Sequence, residues 1–305
     1  VGKMRNRGFE AEVSYNKSIN KDFGFNVAFN MSAIKNKMTE LDGDVSYIGL
    51  PTSVIHSLNF DQEVSRSAIG QPIGSFYAYK EDGLFQSEAE IKSYTNNKGE
   101  LLQPNAKPGD IKFVDVNGDG VIDGNDRDYI GNPLPDVTAG LTLGVNFHNF
   151  DLSLFFQGMF GNDVYDLTRY VGDFYNQSQY NKNSRVVNAW TPTNTNTDIP
   201  RVTMDDPNNN IRPSSYYVQD ASFVRLKNMK IGYSVPQSIL SKIKFNSLYI
   251  YAQATNLFTI TGYDGIDPEV GLQSYSSDYR NLDMGVDRGI YPLSRTFTFG
   301  VNVSF

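Results

Sequence analysis

The chain has 305 residues, a net charge of −7, no cysteine and only two histidines, His56 and His148. These values exclude disulfides, thiolate metal sites and cysteine nucleophiles, leave little for a histidine-based triad or zinc site, and argue against a general nucleic-acid binder. Mean hydropathy of −0.41 is too polar for a helical membrane protein, but a barrel hides its membrane signal by alternation.

The chain opens at Val1 without an initiator Met and enters a strand pattern within a few residues, so it reads as a piece that lacks its N-terminal part. In order, period-two patterning predicts strands near residues 8–16, 23–33, 137–147, 151–160, 222–233, 247–256 and 295–305. In the second, Phe23, Phe25, Val27, Phe29, Met31 and Ala33 oppose Gly24, Asn26, Ala28, Asn30 and Ser32; in the third, Val137 to Phe147 alternate with Thr138, Gly140, Thr142, Gly144 and Asn146. The fifth changes parity between Leu226 and Met229, which predicts a bulge near Asn228. The last places Phe297, Phe299, Val301, Val303 and Phe305 on one face, and Thr296, Thr298, Gly300, Asn302 and Ser304 on the other.

Such strands suit a transmembrane barrel or the edge of a soluble sandwich. The connections discriminate. Short ones (17–22, 148–150, and 235–245 with one helical turn after Pro236) alternate with long loops at 34–136, 161–221 and 257–293. Outer-membrane barrels combine short periplasmic turns with long extracellular loops. The expected fold is all-β: a transmembrane antiparallel barrel segment of about seven strands, from a larger plugged barrel of about 22.

In the first long loop, Asp115, Asn117, Asp119, Gly120, Asp123 and Asp126 stand at positions 1, 3, 5, 6, 9 and 12 of an EF-hand-like loop, with the Val121 carbonyl at position 7. The metal reading is structural Ca2+, looser than usual because Asp126 replaces the bidentate Glu; the alternative is a solvated Asp/Asn/Gly turn. In the second loop Tyr165, Tyr170, Phe174, Tyr175, Tyr180, Trp190, Tyr216 and Tyr217 lie among amides and hydroxyls. Aromatic faces with such neighbours can bind sugar rings, peptides or a partner, or can simply pack the loop. Asp205 and Asp206, in the turn-rich run DDPNNN, read as solvated rather than as glycosidase acids.

Several blocks then carry a resemblance. MRNRGFEAEV (Met4 to Val13), GQPIGSFYAYKEDGLFQ (Gly70 to Gln86), PGDIKFVDVNGDGVID (Pro108 to Asp123) and IGNPLPD (Ile130 to Asp136) are followed by FDLSLFFQGMFGNDVYD (Phe150 to Asp166), DASFVRLKNMKIGYSVP (Asp220 to Pro236), IYAQATNLFTITGYDGIDPEV (Ile250 to Val270) and GIYPLSRTFTFGVNVSF (Gly289 to Phe305). In this order they resemble the C-terminal barrel portion of SusC/RagA-type TonB-dependent outer-membrane transporters of Bacteroidetes. The resemblance implies an outer-membrane location, import of oligosaccharides or peptides, a SusD-like surface lipoprotein and energy from TonB. It places the signal peptide, plug and TonB-contacting segment upstream of this chain. The expected role is transport without enzymatic activity. The alternatives are a secreted calcium-binding β-sandwich or adhesin that binds glycans and, more remotely, a glycan-cleaving enzyme.

Overall fold

The computed structural model describes residues 2–49, 62–175, 181–243, 245–272 and 282–305. The chain opens with a hairpin of β1 (Lys3–Ser18) and β2 (Phe23–Glu40). The first long segment then folds into β3 (Tyr47–Gly49), β4 (Ser65–Ala68), β5 (Ser75–Tyr79), β6 (Glu81–Leu84), helix α1 (Glu88–Ser93), β7 (Ile111–Phe113) and β8 (Arg127–Gly131). A second hairpin follows, β9 (Val137–Phe147) and β10 (Phe150–Phe160), turned at His148 with φ 53°. The second long segment carries β11 (Asp163–Asp166), α2 (Thr168–Asp173) and β12 (Val218–Asp220). After β13 (Phe223–Ser234), α3 (Gln237–Ile243) fills the short connection to β14 (Ser247–Thr255); Pro236 precedes it, where a missing N–H costs nothing. The third long segment holds β15 (Thr259–Thr261) and β16 (Val286–Asp287), and β17 (Thr296–Ser304) ends the sequence.

The long strands form one antiparallel wall in the order β1-β2-β9-β10-β13-β14-β17, with β15 added to β13. Its register explains the alternation. One row runs Tyr15, Val27, Leu143, Leu154, Met229, Ala254, Phe297 across seven strands. On the opposite face, the row Asn16, Asn26, Gly144, Ser153, Lys230, Gln253, Thr298 is polar or small throughout. A one-residue slip anywhere would exchange the faces. The parity change in β13 is a bulge: Phe155 pairs with Asn228 and Phe156 with Leu226, so Lys227 is the extra residue. That extra residue keeps Leu226 and Met229 on the same apolar face.

Most of the apolar face is not covered; near the rim Leu226 and Ala254 are buried. Val13 is 67% exposed and Phe299 81%. The core lies elsewhere, in the long segments. These were expected as loops and are instead folded into small sheets: β3-β4-β5-β8, β6-β7 and β12-β11-β16. Apolar alternation also misplaced the ends of the first hairpin. β1 begins at Lys3 and β2 runs on to Glu40, because the ladder continues through polar pairs such as Arg5–Lys37 and Asn6–Asn36. An ion pair from Lys3 to Glu40, at 2.6 Å, closes it.

All three long segments leave the same end of the wall and meet in one body, the rim. The first and third touch the polar face. Asn36, on that face, accepts from the Ile73 N–H at 2.9 Å, and Arg225, opposite Gln157 on the same face, binds the third segment.

Candidate functional site: a folded rim with a polar cleft

The rim core draws on every long segment. Phe76, Leu84, Ile111 and Phe113 come from the first, Tyr165, Leu167, Tyr216 and Tyr217 from the second, and Leu282 and Val286 from the third. Here the aromatic candidates find their places, and most of them pack the loop, the alternative that the sequence left open. Tyr165 and Tyr217 are fully buried and stack at 5.4 Å; Tyr170, Phe174, Trp190 and Tyr216 are also buried. Of the described candidates only Tyr175 is exposed, with the Lys182 ammonium 5.3 Å above its ring. Tyr180 lies outside the described residues. The physical reason is local: this segment is poor in aliphatic residues, so aromatic rings supply the apolar area that folds it.

Two buried polar networks fasten the segments together. Asp110, fully buried, accepts from Arg201 Nε at 2.6 Å and Nη2 at 3.2 Å, from Asn210 Nδ2 at 2.9 Å and from the Lys107 N–H at 2.8 Å. Asp206 in turn accepts from the Asn210 and Ile211 backbone N–H groups. The DDPNNN run is therefore only half solvated: Asp205, Pro207 and Asn209 are exposed as expected, whereas Asp206, Asn208 and Asn210 are buried, and Asp206 and Asn209 take the left-handed conformation that Asp and Asn tolerate. The second network joins wall to rim. Arg225 donates to Asp267 at 2.5 Å, Glu269 at 2.8 Å and Thr259 at 2.7 Å, and the bulged Lys227 reaches Glu269 at 2.6 Å. Burial pushes the Asp267 carboxyl up, but the Glu269 and Leu293 N–H groups and the Arg225 guanidinium outweigh it and hold Asp267 below the usual carboxylate range.

The acidic loop of the first segment is tightly turned. Gly118 and Gly120 take φ of 73° and 89°, open to glycine at no steric cost. Asp115 accepts from the Gly118 and Gly120 N–H groups, and Asp119 from the Val121 N–H. Asp123 caps the 3-10 turn Gly124–Asp126, and the buried Asp126 accepts from Val116, Asn117 and Asp123. The oxygens are of the right chemistry for calcium, but among the described residues no group of three acidic, His or Cys side chains converges as a metal site. Asp115, Asn117, Asp119, the Val121 carbonyl, Asp123 and Asp126 keep acceptor capacity beyond these N–H bonds, since each carboxylate has about four lone-pair sites.

A polar cleft of about 530 Å³ opens where the second and third segments meet. Arg169, buried on α2, donates to the Tyr216 carbonyl at 2.8 Å and to Asp264 at 3.0 Å. Arg185 bridges Asp173 at 3.2 Å and Asp198 at 3.1 Å, and Tyr216 donates to the same Asp173 at 2.7 Å. Burial raises the Tyr216 phenol well above its ordinary value, with Asp173 adding to the effect, so it stays a donor. Burial also raises the Asp166 carboxyl, opposed by the Thr168 hydroxyl and Arg169. A second cleft, of about 430 Å³, adjoins the first and shares Gly265 and Ile266 with it. Sequence reasoning singled out none of Arg169, Arg185 or Asp264. Arg169 and Asp264 are 95 positions apart, and no local spacing connects them.

Among the described residues no helix is long and apolar enough to cross a membrane, which says nothing of crossing by strands. No family model matches the chain. Its whole length is 37% identical to the TonB-dependent receptor P3 of Formosa agariphila, covering 29% of that protein. It is 26% identical to the TonB-dependent receptor SusC of Bacteroides thetaiotaomicron, covering 27% of it. In fold it matches a structure of the RagAB peptide transporter over the full chain and 30% of that chain, with a TM-score of 0.72 at 23% identity. The chain thus spans less than a third of the length of these relatives. In sequence it is similar to TonB-dependent receptors, SusC among them, and in fold, an antiparallel β-barrel wall, it is similar to the RagAB structure.

Proposed function

We propose that this chain, SusC/RagA-like over its full length, supplies wall strands and the surface rim of an outer-membrane transporter. That transporter imports oligosaccharides or peptides with energy from TonB and works with a SusD-like lipoprotein. One observation carries the reading: a continuous apolar face across seven in-register strands, left largely uncovered among the described residues. A soluble sandwich or adhesin would bury that face, since each large apolar side chain removed from water stabilises by about 1.5–3 kcal/mol. Lipid covers it instead, the polar face lines the lumen, and the rim stands outside the cell.

The role is transport, not catalysis. The buried carboxylates of the rim are engaged by Arg, Asn and backbone donors, as Asp110 and Asp206 illustrate. The test is uptake in the native bacterium. Import of labelled oligosaccharide or peptide should stop when the full-length transporter is deleted and when TonB is removed. Uptake that survives both deletions would sink the reading.

A further inference from the structure

The first hairpin carries four cations in two facing pairs. In register, Arg5 stands opposite Lys37 and Arg7 opposite Lys35. Side chains directly opposite on one face lie about 4.5–5.5 Å apart at Cβ, and like charges so placed repel. All four residues are exposed, and among the described residues none of their side chains has an ion-pair or hydrogen-bond partner. The acids of the hairpin are committed or placed elsewhere. Glu10 and Glu12 fall on the polar face, where Glu10 accepts from the Ser32 hydroxyl at 3.3 Å; Glu40 is held by Lys3 at 2.6 Å; Asp22 lies in the turn at the other end. The chain as a whole carries −7, so this concentration of positive charge runs against its composition.

Position on the wall selects the counter-charge. Below the Arg7–Lys35 pair, on the same face, come Phe9–Ala33, Ala11–Met31, Val13–Phe29 and Tyr15–Val27. The cations therefore continue the apolar face toward the end from which the first long segment leaves. From Phe23 to Ala33 that face of β2 is apolar. At a rise of about 3.4 Å per residue and a tilt of about 40°, the stretch is about 26 Å tall, close to the outer-membrane apolar band of about 25 Å. The cluster begins one register step beyond it, at headgroup level. The rim takes the other face here: Asn36 accepts from the Ile73 N–H at 2.9 Å and Met38 is buried, while Lys35 and Lys37, alternating with them, stay exposed. Arg and Lys bind phosphate through charge-assisted hydrogen bonds, Arg through two at once. We propose that Arg5, Arg7, Lys35 and Lys37 form an outward-facing site for the phosphorylated headgroup of an anionic outer-leaflet lipid. The proposal rests on the wall spanning the membrane and adds a ligand that the transport reading does not supply.

The test uses the purified full-length transporter in a nonionic detergent, with lipid A, dephosphorylated lipid A and inorganic phosphate as probes. The variant is Arg5→Gln/Arg7→Gln/Lys35→Gln/Lys37→Gln. Native mass spectrometry should show lipid A bound by the parent and at least about tenfold more weakly by the variant. Without lipid the variant should melt no lower than the parent, because facing like charges have been removed. With lipid A only the parent should melt higher. Arg7→Gln/Lys35→Gln, expected to lose part of the affinity, takes over the comparison if the fourfold variant does not assemble. Equal affinity of parent and variant for lipid A overturns the site, as does equal binding of the dephosphorylated lipid. Inorganic phosphate that stabilises the parent as much as lipid A does assigns the cluster to a free anion and overturns the lipid. Loss of the surface lipoprotein from the variant, with lipid affinity unchanged, assigns it to a protein instead. A full-length protein that stays soluble without detergent ends the membrane reading itself, whereas one that needs detergent but ignores lipid A loses only this site.

Discussion

The wall and the rim are made by the same chain under opposite rules. The wall alternates in in-register rows, yet most of its apolar side chains stay exposed: Phe297, Phe299 and Val301 are all more than half exposed. The rim has no long periodic run, yet it holds the largest buried cluster, with Val64, Phe76, Phe113 and Tyr217 at zero exposure. The wall is specified by period and completed by a solvent other than water. The rim is specified by long-range packing and by buried polar fastenings. A regular sequence is therefore no guide to where the core lies.

The largest expected effect comes from breaking the rim alone. Phe113→Ala removes a fully buried ring from the core and should destabilise the rim by about 3–5 kcal/mol. Limited proteolysis of the full-length transporter should then cut within the long segments while the heat-modifiable gel mobility of the barrel persists. Loss of both together would show that wall and rim fold as one unit.

Breaking the wall has the next largest effect. Leu141 lies on the apolar face and Thr142 on the polar one. Leu141→Arg should impair membrane assembly, at about 2–4 kcal/mol near the midplane, and Thr142→Arg should assemble. Equal assembly would refute the assignment of faces.

The joint between them is sensitive to acid. Asp267 is held below the ordinary carboxylate range, so its contribution to stability is present above the unfolded value of about 3.9 and is lost as pH falls through its folded value. Hydrogen exchange across 257–272 should accelerate below about pH 4, ahead of the rim core. Asp267→Asn should show the fast exchange already at neutral pH. Protection that does not change with pH would remove Asp267 from the joint.

The smallest effect concerns the acidic loop. Calorimetry on the full-length transporter should show calcium uptake that Asp115→Ala combined with Asp119→Ala abolishes, with little change in barrel stability. Uptake unchanged in the double variant places the ion elsewhere.

Local sequence determined the wall. Side-chain period is a property of neighbouring residues, so the alternation in Val137 to Phe147 showed a strand and its two faces, and the change of parity after Leu226 showed the bulge that the unpaired Lys227 makes. The blocks of resemblance likewise lie within short runs and pointed to the SusC/RagA type. The rim could not be read this way. Its aromatic residues looked like a binding surface because composition does not reveal burial, and DDPNNN looked solvated because its partners, Asp110 and Ile111, lie far away in the chain. Arg169 meets Asp264, and Arg225 meets Asp267, only once three separate segments have converged on one end of the wall. Which polar residues become buried fastenings and which line the clefts depends on that convergence, and only the tertiary structure decides it.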